Sequence, residues 1–145
     1  MTTIKPVPDH HDAEMVLKLY DLRREPVMRQ SRDAIAKFLP RTFDDLLALT
    51  KPDHPHNAAW RQVSSYFEMA FSFARHGMAN PDFLAENNGE GLYLFAKVKP
   101  YLTQLREATS PLAFQNAEWL VANSASAKQR CAIFEKRVAS MLAQK

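Results

Sequence analysis

An all-α fold, a single-domain orthogonal or up-down bundle of six to seven helices, is what this sequence predicts, and three observations carry it. No segment alternates apolar and polar residues with period two for long enough to make a strand. Residues 57–77, NAAWRQVSSYFEMAFSFARHG, hold the densest apolar bulk in the chain. At about 100° per residue, Trp60, Val63, Tyr66, Phe67, Met69, Ala70, Phe71, Phe73 and Ala74 cover an arc of roughly 200°. An apolar arc that wide has to be covered from several directions, which makes residues 57–76 the central helix. Finally, helix start signals recur along the chain, including Asn80–Pro81 and Ser110–Pro111, where a cap residue precedes a first-turn proline.

In chain order, residues 1–8 carry two prolines and read as a disordered lead, leaving 9–145 as the domain. Asp9 or Asp12 caps a first helix whose inner face is Ala13, Val16, Leu17 and Tyr20. Pro26 interrupts it, and Val27, Met28, Ser31, Ile35, Phe38 and Leu39 continue a helical face to Pro40. One bent helix is the preferred reading. Thr42 and Asp45 form a capping box for a short helix through Leu49, and KPDHPHN follows as a loop. Asn57 is the expected cap of the central helix and Gly77 its left-handed stop. One or two turns after Pro81 end at NNGEG; a helix from about Glu90 to Glu107 then kinks at Pro100. Ser110 starts the next, lined by Leu112, Ala113, Ala117, Leu120 and Val121. Ser126 with Gln129 caps a closing helix with Cys131, Phe134, Val138, Met141 and Leu142 inward.

A chain of 145 residues is long enough to bury one core without staples, and its single cysteine, Cys131, leaves no internal disulfide and fits a reducing compartment. The first residues lack an apolar leader segment and no stretch approaches the length of a membrane span, so a cytoplasmic protein is expected. A net charge of +3, with signs interspersed, makes no electrostatic case for nucleic acid. Three glycines leave no phosphate-cradling loop, which excludes the P-loop and dinucleotide signatures.

No catalytic or ligand motif stands above background. The histidines of DHHD (residues 9–12) and HPH (residues 54–56) have no metal-ligand spacing, and no metal or cofactor is indicated. Glu68, between Phe67 and Met69, would suit a general acid or base if shielded. The wheel instead sets it on the polar stripe with Arg61, Ser65, Ser72 and Arg75, as a surface or interface carboxylate paired with arginine. RREPVMRQSR, residues 23–32, packs four arginines into ten residues, a pattern suited to an anion because guanidinium binds one through paired hydrogen bonds. Asp21, Glu25 and Asp33 lie within helical reach and favour intramolecular pairs; Glu14 and Glu68 are further possible partners. The aromatic residues at helical spacing read as core, as does Cys131.

Three segments, LYDLRREPVMRQSR (19–32), SSYFEMAFSFARHGMANPDFL (64–84) and LYLFAKVKPYLTQLRE (92–107), are together similar to a family of small, uncharacterised, all-helical bacterial proteins, a domain of unknown function. The resemblance rests on the arginine-rich first helix, on Tyr66 and Glu68 ahead of the Gly77 stop, and on Pro100 before Leu105 and Arg106. It implies a bacterial cytosolic helical domain and carries over no catalytic residue. Two functions follow as expectations. The first is a non-catalytic module that binds a protein partner or a second copy of itself, with the closing helix as the contact. The second is a binder of a small ligand or anion, with Arg23, Tyr66, Glu68 and Arg106 converging at the seam between first, central and Pro100 helices. An enzyme ranks third.

Overall fold

Asp9 opens the first helix by accepting the backbone N–H groups of His11 (3.0 Å) and Asp12 (3.2 Å), and α1 runs His10–Arg23. The computed structural model describes residues 3–144, and among them there is no strand. The inner face of α1 is Asp12, Met15 and Leu19, while Leu17 and Tyr20 stand in water, the reverse of the expected stripe. Apolar residues occur on both sides of this helix, so its sequence alone does not choose the buried one.

The bent first helix is corrected to two helices. Glu25, preceding Pro26, takes an extended conformation (ψ 138°), as the proline ring demands, and its carboxylate caps the next helix by accepting Val27 and Met28 N–H. That helix, α2, runs Pro26–Lys37. Thr42 and Asp45 make the expected reciprocal capping box on α3, Phe43–Leu49.

The central helix, α4, spans Asn57–Arg75. Trp60, Val63, Tyr66, Phe67, Ala70, Phe71 and Ala74 are buried on it, and it packs against α2. Asn57 is not its cap. It is the first helical residue, and its buried amide donates to the Leu49 carbonyl (3.0 Å), tying α4 to the end of α3. Gly77 does close α4, at φ 78°, where a Cβ would lie 2.6 Å from the carbonyl oxygen of Thr3.

Asn80 caps α5, Pro81–Glu86, by accepting Phe83 N–H (2.8 Å). The single kinked helix expected from 90 to 107 is instead α6, Gly89–Val98, a 3-10 turn at Lys99–Tyr101, and α7, Leu102–Ala108. Pro100 lacks the N–H that a continuous helix requires. The Ser110–Pro111 signal starts a series of turns rather than a helix, and α8 is Gln115–Asn123, entered through Phe114 in the left-handed conformation (φ 58°). The last cap is Ser124, two residues before the expected Ser126; its hydroxyl accepts Ala127 N–H (3.0 Å) and donates to Asp82 (2.5 Å). From there α9 runs Ala125–Ala143.

Nine α-helices and one 3-10 turn thus stand among the described residues where six or seven helices are expected, the excess arising at Pro26 and Pro100. With all elements in place, α4 lies among α2, α5, α6 and α8, and α9 covers α6, α8 and α5. Gly91 permits the approach of α6 to α4, since a Cβ there would meet the rings of Phe67 and Phe71 at 2.6–2.7 Å. At the other end, Lys5 joins the start of the chain to the domain. Its amine bridges Asp9 (2.8 Å) and the buried Asp12 (2.6 Å), and its carbonyl accepts the Asn80 amide (3.0 Å). No helix among the described residues is long and apolar enough to cross a membrane.

Candidate anion-binding site

The break between α1 and α2 gathers arginines. Arg23 and Arg24 lie three and four residues after Tyr20, so both guanidiniums reach its ring, at 5.2 and 5.6 Å from the centroid. Arg29 and Arg32 rise from α2 across the corner. Together the five side chains line a hollow of about 300 Å³ with no carboxylate in its wall.

The partners of these arginines are not the ones expected from helical spacing. Glu25 is spent on capping α2, and Asp33 pairs with Lys37 (2.9 Å) on the exposed face. Arg32 reaches instead to Glu90 on α6 through two hydrogen bonds of 2.8 Å, and also donates to the Arg23 carbonyl (3.0 Å). The Glu90 carboxylate raises the Arg32 pKa. Arg23 donates to the Asn87 carbonyl (3.4 Å). Among the described residues the guanidiniums of Arg24 and Arg29 make no hydrogen bond and no ion pair, so the hollow carries charge its own fold does not neutralise.

The four expected ligand residues fall into two pairs. On the α1 side, the Tyr66 hydroxyl donates to the Leu19 carbonyl; burial raises its pKa while Arg23 and Arg32 oppose the rise. On the opposite side, Glu68 accepts the backbone N–H groups of Asn116 (3.0 Å) and Ala117 (2.8 Å), the first turn of α8. Residues two apart on a helix point about 200° apart, so Tyr66 and Glu68 cannot face one seam. Arg106 donates to the Ala113 carbonyl (3.0 Å) and to Glu118 (3.1 Å). The expected arginine partner of Glu68 is corrected to a helix terminus: burial raises its pKa, the two N–H groups lower it, and Arg106 and Arg75 act only through space.

Sequence reading missed Lys97. It is 2% exposed, and its ammonium donates to the carbonyls of Ile35 (2.8 Å), Ala36 (3.3 Å) and Phe38 (2.7 Å), closing the C-terminal end of α2. Burial lowers its pKa to about 8. The available signal was its place between Ala96 and Val98 in an apolar helix. Cys131 is buried and its thiol is pushed up to about 11 by that burial. Among the described residues no three His, Cys, Asp or Glu side chains gather as a metal site.

No curated protein and no solved structure matches this chain. A family model described as "Domain of unknown function (DUF4760)" matches residues 8–124, a span that includes all three segments of the resemblance drawn from sequence. With most of its length matched in this way, the chain belongs to the DUF4760 family.

Proposed function

We propose that the protein is a non-catalytic, anion-binding helical module, and that the ligand sits in the arginine hollow between α1 and α2. The observation that carries this reading is the pair Arg24 and Arg29, which face a hollow of about 300 Å³ with no acid in its lining. Guanidinium groups held near one another without counter-charges bind phosphate-like or carboxylate ligands through charge-assisted bonds. Tyr20 holds two of the four in position. Calorimetric titration with inorganic phosphate and pyrophosphate tests it. Binding that weakens as salt is added, and that disappears in the Arg24→Ala/Arg29→Ala double variant, is the expected result. A flat titration at low salt overturns it.

A second reading, association with a protein partner or a second copy, is favoured by the apolar side chains that α1 and α2 leave in water. Leu17 is 67% exposed and Val27 56%, with Tyr20 and Leu22 also in water. Sedimentation of the protein with and without pyrophosphate separates the two readings: association shows as a concentration-dependent rise in mass, anion binding alone leaves a monomer.

A further inference from the structure

A second hollow lies on the opposite flank of α4, where the polar stripe of that helix faces the turns between α7 and α8. It measures about 480 Å³, within the range of small-molecule sites. Its apolar side is Trp60, Leu105 and Phe114, the rings of Trp60 and Phe114 being 5.7 Å apart. Phe114 holds its left-handed backbone with its side chain buried against Trp60 and Phe95, so this wall has a fixed shape.

The polar side consists of Arg61, Ser64, Ser65 and Glu68, which share one helical face. Ser64 and Ser65 donate their hydroxyl protons to the carbonyls of Trp60 and Arg61, both at 2.6 Å, so they offer the hollow oxygen lone pairs. Glu68 has backbone N–H groups on its carboxylate and no cation hydrogen-bonded to it. Arg75 and Arg106 are occupied by Asn116, Ala113 and Glu118. Arg61, the one cation in the lining, is anchored through Nε to Asn57 (3.0 Å), and the rest of its guanidinium has no partner among the described residues. Seven residues separate Arg61 from Glu68, roughly 10 Å of helix at about 1.5 Å per residue.

We propose that this cleft binds a small zwitterion: its ammonium end at Glu68, its carboxylate end at Arg61, and an apolar body between them against Trp60, Leu105 and Phe114. A lone amine would leave Arg61 unanswered, a lone acid would meet Glu68, and only a molecule bearing both charges at a distance satisfies the two ends. The site is separate from the arginine hollow and stands or falls without it.

The test is ligand-observed NMR on the full chain with 6-aminohexanoate and 8-aminooctanoate, against hexylamine and hexanoate. At least one zwitterion is expected to bind about tenfold or more tighter than either single-charge compound, a difference of about 1.4 kcal/mol. Glu68→Gln and Arg61→Gln should each erase that advantage. Because Glu68 also caps α8, Ser65→Phe serves as the second variant: it lies on an exposed face of α4, fills the cleft, and should abolish zwitterion binding without changing Tm. No zwitterion binding, equal binding of amine and zwitterion, or unchanged binding in Ser65→Phe overturns the proposal.

Discussion

Arg32 and Glu90 lie 58 residues apart in sequence and meet through two hydrogen bonds of 2.8 Å, joining α2 to α6 and setting how much positive charge the arginine hollow retains. Glu90→Gln removes that charge while keeping an acceptor. Pyrophosphate affinity is therefore expected to rise, and stability to fall by no more than about 1 kcal/mol, because both side chains are partly exposed and solvent screens the pair. Calorimetry and urea denaturation measure the two effects.

Glu68 supplies the side-chain cap that α8 lacks at its own N-cap residue, Phe114. Glu68→Ala should cost about 1–2 kcal/mol, the usual worth of an N-terminal cap. Glu68→Gln, which keeps one acceptor oxygen, should lose less. Urea midpoints of the three proteins at neutral pH rank the effects.

Lys97 couples stability to alkaline pH. Its folded pKa of about 8 lies below the ordinary 10.5, so between those values the unfolded chain binds more protons than the folded one. The Lys97 contribution to stability consequently rises with pH across that window. Lys97→Met leaves the Ala36 and Phe38 carbonyls without a donor, Ile35 keeping the Phe38 N–H (3.2 Å), and should destabilise the fold by about 1–3 kcal/mol. The gap between wild type and variant should widen from pH 8 to pH 10.5. Cys131 titrates in the opposite sense, from 9.0 to about 11, but is common to both proteins and cancels in the difference.

Gly91→Ala tests the contact between α6 and the central helix. The added methyl would sit 2.6–2.7 Å from Phe67 and Phe71, two buried rings with no room to retreat, so a loss of about 1–3 kcal/mol is expected. Thermal denaturation of the variant measures it.

What the sequence made legible was what short-range chemistry decides. The Thr42–Asp45 box, the Asn80 cap and the Gly77 stop all stand, because each is settled within four residues. The wide apolar arc also placed α4 correctly, since few geometries can cover it. Partners chosen across the fold were not legible: Asn57 answers Leu49, Asp82 takes both the Ser124 hydroxyl and the Ser126 N–H, and Arg32 prefers Glu90 to the nearer Asp33. That the four expected ligand residues stand in two pairs has a reason visible in sequence, the two-residue spacing of Tyr66 and Glu68. The arginine cluster was visible too; that Glu25 and Asp33 would be drawn off to other duties was not.

The family match ends at Ser124, the residue whose hydroxyl starts α9 and grips Asp82. Yet α9 is a main cover of α6, with Phe134 against Tyr93 at 5.4 Å between ring centroids and near Gly89. The matched stretch therefore leaves out a helix that packs on α5, α6 and α8. A fragment trimmed to the matched residues would strip the cover from α6 and clump, whereas one carried through residue 143 keeps it.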